Sequence, residues 1–347
     1  MRVLFLIHEL ALNGAVVALL SQVRHLVETG ARVSVLTPAL DGSAAALREE
    51  FVSAGAELIG RTSTDEHDVA VGCTVFAAEA LAGLVGRIPL VWWIHEGRAG
   101  MQHVLAHPKV AALLGAADKV VFPSRGTVER IWAPLLSSLP PGRVQVIPAL
   151  VPPPEPGPAA PKPAGRMRVL CVGSVYPRKR QVDLVRAVAA LGSDAPVECV
   201  LAGELVRLDP PGDAIVAADP GRFVLSGGLP PEAVQRLYRS ADVFALPSAD
   251  ESMPIAPIEA AWHGVPVVLS ELDCYAGVWK HSVNALLHSV GDVEMLAWYL
   301  RMLLESPGLR GRLTAQARAM ATGFGPARTT RLFASVLEEA VARQPMA

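Results

Sequence analysis

A chain of 347 residues is long for a single α/β core and suits two. About half of it (51%) is apolar, so a sizeable core can form; the formal net charge is −2 with no Lys/Arg-rich run, which argues against nucleic acid as an obligate partner. Cys73, Cys171, Cys199 and Cys274 are widely spaced without a C-x-x-C, and read as buried free thiols in a reducing compartment rather than a disulfide framework. The opening MRVLFLIHEL carries one basic residue and no small-residue cleavage site, so it reads as a strand rather than a signal peptide. No apolar stretch is long enough to span a bilayer, and a cytoplasmic location is expected, with peripheral membrane contact left open.

Arg2 to His8 is the first predicted strand, and Asn13-Gly14-Ala15 turns it into a helix over AVVALLSQVRHLVETG, whose apolar face carries Val17, Leu20, Val23 and Val27 and which ends at Gly30. ARVSVLTP follows as a second strand. This is a β-turn-α-β opening, but a complete G-x-G-x-x-G is absent, so a dinucleotide is not indicated. AELIG, DVAVGCTV, PLVWWIH and KVVFPS fit the remaining strands of a parallel sheet, and VIPALVP closes the first half. From Pro148 to Arg166 proline is so frequent that neither helix nor central strand can persist. That stretch divides the chain into a domain over 1–150, a semi-rigid linker over 151–166 and a second domain over 167–325.

The alternation then resumes. MRVLCVG, VECVLAG, RFVLSGG and VFALP read as strands, with helices at DLVRAVAAL and PPEAVQRLYRSA between them. After Pro247 comes a polar turn, then an alanine-rich helix to about His263, stopped by Gly264, and the strand VPVVL. NALLHSV and helices over Val293–Glu305, Pro307–Thr322 and Pro326–Arg343 complete the chain, leaving 326–347 as a terminal helix. Strand, turn, helix and strand is the repeating unit of a doubly wound sheet, in which ligands sit at the carboxyl ends of the strands.

Several polar residues fall at such ends. In PSADESMPIAPIEAAWHGVPVV, Ser252 is expected to cap the helix, with Glu251 in the turn and Glu259 one turn inside, seven residues between the two carboxylates. Taken alone these are equally a capping acid and a solvated glutamate. Gly173-Ser174-Val175-Tyr176-Pro177-Arg178-Lys179-Arg180 places three cations just past a strand, suited either to a diphosphate or to solvent. His95 and Glu96 end a first-half strand, as do His8 and Glu9; such residues can bind a ligand or simply form a hydrogen-bonded rim. Gly203-Glu204 and Gly227-Gly228-Leu229 are further strand-end turns. There is no H-x-x-x-H or Asp-x-Asp element, so a permanent metal site is not expected.

The stretch from Pro247 to Val268 resembles the E-x7-E signature of glycosyltransferase family 4, P-S-x-x-E-G-x-G-x-P-x-x-E-A-x-x-x-G-x-P-V, with Ser252 and Pro254 where the family has glycines. The resemblance extends over nearly the whole chain. It implies a GT-B architecture, two Rossmann-like doubly wound parallel-sheet domains facing across a cleft, with the last helix crossing back to the first domain. It implies a retaining, metal-independent glycosyltransferase that uses a nucleoside-diphosphate sugar, UDP- or GDP-linked, as co-substrate, with no tightly bound cofactor and a sugar, glycoside or small molecule as acceptor. Carried onto this chain, the resemblance gives Lys179 to the donor diphosphate, with Arg178 compensating for Ser174, which stands where the family has arginine. Gly14 and the backbone after Glu251, at Met253, Pro254 and Ile255, join the same group. Glu259 is implied for the ribose, Glu251 and His95 for the transferred sugar, and Glu96, His8, Glu9 and Asn13 for the acceptor. Ala149 and Leu150 replace the family's Asn-Gly in the closing run, a change of hinge geometry. The alternatives left by the sequence are a degenerate GT-B subunit that binds nucleotide sugar without turnover, and a GT-B sugar-nucleotide epimerase.

Overall fold

The computed structural model describes residues 1–10, 13–37, 45–61 and 64–342. The chain divides into two compact units, Met1–Val151 with Phe324–Ala347, and Pro152–Gly323.

The first unit runs β1 (Arg2–Leu6), α1 (Gly14–Glu28), β2 (Arg32–Leu36), α2 (Ala45–Ser53), β3 (Glu57–Ile59), β4 (Val69–Cys73), α3 (Ala78–Ala82), β5 (Leu90–Trp93), α4 (Arg98–Ala106), α5 (Pro108–Ala116), β6 (Lys119–Phe122), α6 (Ala133–Leu136) and β7 (Val144–Val146). Its strands form one parallel sheet in the order β3-β2-β1-β4-β5-β6-β7. Strands β4, β5 and β6 are buried at every position, which is why they read as unbroken apolar runs: helices cover both faces, and no side chain alternates out to water. The closing strand β7 is Val144–Val146 and overlaps the predicted VIPALVP run only at Val146; the run is irregular from Ile147 on.

The second unit runs β8 (Met167–Val172), α7 (Gln181–Ala189), β9 (Val197–Ala202), α8 (Gly212–Ala218), β10 (Phe223–Gly227), α9 (Pro231–Ser240), β11 (Val243–Leu246), α10 (Ala256–Trp262), β12 (Val267–Ser270), β13 (Leu286–His288), α11 (Val293–Glu305) and α12 (Pro307–Ala321). Its parallel sheet has the order β10-β9-β8-β11-β12-β13. Both sheets therefore reverse their winding once, between β1 and β4 in the first unit and between β8 and β11 in the second. A doubly wound sheet opens a crevice at the carboxyl side of such a reversal.

The last helix, α13 (Pro326–Ala342), belongs to the first unit, where it packs on α1, β4 and β5. Phe333 is fully buried there, its ring 6.2 Å from that of Phe5 and 4.8 Å from that of Trp93. The buried ammonium of Lys119 meets Glu339 at 2.5 Å and donates to the Gly142 carbonyl at 2.9 Å. The predicted end of this helix at Arg343 lies outside the described residues.

The proline-rich stretch, expected as a semi-rigid linker between domains, is strapped to the second unit. Arg239 of α9 donates to the carbonyls of Glu155 (2.6 Å) and Pro158 (3.3 Å), the Ala160 amide donates to the Arg236 carbonyl, and Lys162 pairs with Asp242 at 2.5 Å. A proline-rich segment has carbonyls but few amides, so a guanidinium on a neighbouring helix is a natural partner for it.

Candidate functional site

In the second unit the loops after β8 and β11 lie side by side at the reversal. The Ala249 amide donates to the Arg178 carbonyl at 2.8 Å and fastens one loop to the other. Close approach at the base of the first loop depends on glycine. A Cβ on Gly203 would lie 2.3 Å from the Gly173 carbonyl oxygen, and both residues hold positive φ, +157° and +136°. Arg180 also has positive φ (51°), a conformation that non-glycine residues seldom adopt; its guanidinium is tied to Asp183 at 2.6 Å.

Three of the predicted residues converge there. The Lys179 ammonium lies 2.5 Å from Glu251 Oε1, the Ser248 hydroxyl donates to the same oxygen at 2.7 Å, and Arg178 stands 3.7 Å from Oε2. Arg178 also donates to the Asp250 carbonyl at 2.5 Å and to the Tyr176 hydroxyl. Glu251 is buried, which alone would push its carboxyl up, yet Lys179 and then Arg178 outweigh this and hold it below the usual range. Burial likewise opposes the charge of Arg178, and Glu251, Tyr176 and Asp250 together outweigh it, leaving the guanidinium above its ordinary value. The result is a carboxylate clamped by two cations with a net positive charge. Ser174, at the family's arginine position, carries no charge into it; its carbonyl accepts from Gln181 at 2.9 Å.

The helix after this turn starts later than expected. Its first residue is Ala256, the N-cap is Ile255 with no side-chain bond, and Pro257 sits in the first turn, so Ser252 is not the cap. Pro254 would be the second residue of a helix capped by Ser252, and it has no N–H for that cap to accept from. Glu259 consequently falls in the first turn of α10. Met253, Pro254 and Ile255 form the approach to α10, with Met253 buried.

Glu259 does not join the Lys179 cluster; its partners come from α9. The Tyr238 hydroxyl donates to Oε2 at 3.0 Å and the Gln235 amide to Oε1 at 3.4 Å. Burial pushes the Glu259 carboxyl up to about 7, the Tyr238 bond opposing it in part. Tyr238 is itself fully buried and stacks on His263 with ring centroids 5.1 Å apart. Tyr238 is not conspicuous in the sequence, because its partner Glu259 lies 21 residues away, whereas Ser248 is the serine of the P-S-x-x-E signature, three residues before Glu251.

The remaining candidates lie in the first unit. Asn13 is the N-cap of α1, its side-chain oxygen accepting from Ala15 (3.1 Å) and Val16 (3.0 Å), and its amide donating to Glu9 at 3.4 Å. Gly14 is the first helical residue, with open space where a Cβ would stand. His8 Nδ1 lies 3.0 Å from the Thr74 hydroxyl and Nε2 lies 3.5 Å from Glu9. After β5, Glu96 accepts from the backbone amides of Val75 (3.1 Å) and His95 (3.0 Å). Burial raises its carboxyl to about 7 in spite of those bonds, and burial lowers His95 to about 3, so His95 is neutral at physiological pH. A Cβ at Gly100 would clash with Glu96 Cβ at 2.2 Å, so glycine there makes room for the stem of the Glu96 side chain. Among the described residues there is no grouping of three or more His, Cys, Asp or Glu side chains that could hold a metal ion, and no helix long and apolar enough to cross a membrane. All four cysteines are buried and free.

Comparison with known proteins follows the same division. Residues 158–320 match the family model described as glycosyl transferases group 1, and residues 1–132 match that described as glycosyl-transferase family 4. A D-inositol 3-phosphate glycosyltransferase of Salinispora arenicola is 35% identical over 188 residues, 50% of this chain and 41% of the relative. One of the same name from Saccharomonospora viridis is 31% identical over 191 residues, 52% of this chain and 44% of the relative. The matches thus span less than half the length of these curated relatives. In fold, the chain is similar to Anabaena Alr3699/HepE in complex with UDP-glucose (TM-score 0.79, 19% identity, 97% of this chain and 99% of that one). It is similar also to sucrose-phosphate synthase from Thermosynechococcus elongatus (TM-score 0.78, 17% identity, 99% and 100%). The fold is GT-B, and with the two family models matched over residues 1–132 and 158–320 the chain belongs to glycosyltransferase family 4.

Proposed function

We propose that this protein transfers a sugar from a nucleoside-diphosphate sugar to an acceptor hydroxyl, with retention at the anomeric carbon and without a metal ion. The observation that carries the reading is the clamp of Lys179 and Arg178 on Glu251 at the winding reversal of the second unit, a net positive site on a helix-backed strand end. The UDP-glucose complex of HepE supports a UDP-sugar, and the names of the curated relatives support a small hydroxylated acceptor.

In this reading the diphosphate docks on Lys179 and Arg178 and draws Lys179 from Glu251, which turns to the sugar. Glu259, held by Tyr238, receives the ribose hydroxyls. The bond between the anomeric carbon and the diphosphate breaks, the acceptor oxygen bonds to the same face of that carbon, and its proton passes to a donor phosphate oxygen. The cations stabilise the charge gathering on the leaving diphosphate. His95, kept neutral by burial, offers a hydrogen bond to a sugar hydroxyl without adding charge beside the cationic anomeric centre. The reaction needs no nucleic acid and suits the cytoplasm, where nucleotide sugars are consumed.

Incubation with UDP-glucose, UDP-N-acetylglucosamine and GDP-mannose in EDTA tests this; release of nucleoside diphosphate from one of them is expected. Binding without release would favour a degenerate nucleotide-sugar-binding subunit. Lys179→Ala is expected to weaken nucleoside-diphosphate binding by about 1.5–3 kcal/mol, the scale of a charge-assisted hydrogen bond. Calorimetric affinity equal to wild type would remove Lys179 from the donor site.

A further inference from the structure

The turn between β8 and α7 carries Arg178, Lys179 and Arg180 in succession, and the backbone sends these cations two ways. Arg178 and Lys179 face Glu251, at 3.7 and 2.5 Å. Arg180 turns aside. With φ of 51° and ψ of 35° it lies in the left-handed region, where it closes the tight turn over Pro177–Lys179 and stands as the N-cap of α7 without a side-chain bond to the helix amides. Its guanidinium grips Asp183 in the first turn of α7, Nε donating to Oδ2 at 2.6 Å and Nη2 to Oδ1 at 3.2 Å. The Asp183 amide donates back to the Arg180 carbonyl at 2.9 Å. Asp183 is buried, while Arg180 is partly exposed. Gly291, in the loop before α11, leaves room for the guanidinium: a Cβ there would lie 3.1 Å from Nη2. The other end of the turn is also tied to α7, through the Gln181 side chain and the Ser174 carbonyl at 2.9 Å.

We propose that Arg180 is a positioning residue of the donor site: its ion pair with Asp183 holds a left-handed backbone that aims Lys179 and Arg178 at the diphosphate. The inference rests on the donor reading above and extends it to a residue that touches no substrate. Its basis is conformational. A left-handed backbone brings the Cβ of an L residue too close to the following carbonyl oxygen. Left to that preference, residue 180 would fall into the right-handed region and join the tight turn to α7 as one helix. Lys179 would then swing about the helix axis, away from Glu251. The bidentate pair opposes this change by tying the side chain of the turn residue to a carboxylate that burial fixes in place. A guanidinium engaged with Asp183 is at the same time withheld from the phosphates. Of the three cations in the sequence, two are therefore left to meet the donor and the third sets their direction.

Glycine at position 180 separates this role from its rivals, because glycine enters the left-handed region without strain and carries no charge. Calorimetry of UDP and GDP into the full chain is the first measurement. For the nucleotide that wild type binds, Arg180→Gly should stay within about threefold of wild type and Arg180→Ala should bind about tenfold more weakly, as the cost of the left-handed turn empties the competent loop state. Asp183→Asn should weaken the nucleotide about fivefold in the wild-type chain and leave Arg180→Gly unchanged, since no side chain at 180 is then left to hold. A third phosphate cation would lose equally to glycine and alanine, and a merely structural cap would alter stability while leaving the affinities alike. Either pattern would overturn the proposal. Acetylation of Lys179 in the nucleotide-free protein, followed by peptide mass spectrometry, reads the direction of that side chain itself. It should be at least about threefold faster in Arg180→Ala than in wild type or Arg180→Gly, and equal rates in all three would overturn the proposal. Wild type that binds neither nucleotide would count against the donor reading, and the acetylation rates would then decide the positioning role.

Discussion

Glu251→Ala is expected to lower kcat for sugar transfer by on the order of 10²–10³ while nucleoside-diphosphate affinity is kept or improved. The two effects separate because of what Glu251 touches. In the free protein it engages Lys179 and Arg178, so its removal frees Lys179 and takes a negative charge from beside Arg178, leaving both more available to a diphosphate. The same removal takes away the carboxylate that would orient the sugar, which acts only when the donor is whole. Glu251→Gln keeps the shape and the Ser248 hydrogen bond but not the charge, and should resemble the alanine variant in kcat. Measurement of turnover together with calorimetry of UDP binding decides the matter. Unchanged turnover would exclude Glu251 from catalysis, and parallel loss of both quantities would make it a structural support for the loop.

The largest stability effect is expected at Glu198→Ala in the second unit. Arg168 is almost fully buried, its Nε donating to Glu198 at 2.6 Å while the other nitrogens reach Ser240 and the Pro161 carbonyl. A guanidinium cannot shed its proton to escape burial. Without Glu198 it stays charged among neutral partners, at a cost of about 3–5 kcal/mol. The exposed pair Arg24–Glu50 provides the contrast: Glu50→Ala should cost no more than about 1 kcal/mol. Urea midpoints of the two variants, taken side by side, would show the difference; similar values would mean that water reaches Arg168. The pair also fastens the proline-rich stretch through Pro161, so Glu198→Ala should raise proteolytic cleavage between residues 152 and 163.

The sheet was legible in the sequence because parallel strands covered on both faces are continuous apolar runs, as VAVGC, LVWW and VFAL are. Lys179 and Glu251 were singled out by the family resemblance, since standing at the carboxyl end of a strand left each open to a role in solvent; sheet order brings β8 beside β11. The start of α10 differs from the expectation: Ser252 has the chemistry of a cap, but Pro254 two residues later has no N–H for that cap to accept from. The strapping of the linker was invisible, since Arg239 and Glu155 are 84 residues apart and nothing local marks either as a partner.

The most direct measurement is titration calorimetry of UDP and GDP into the protein, with EDTA and with magnesium, for wild type and Lys179→Ala. The account predicts that one nucleoside diphosphate binds equally with and without magnesium, and at least about tenfold more weakly to the variant. Binding of neither nucleotide, or binding only with magnesium and indifferent to Lys179, would contradict it.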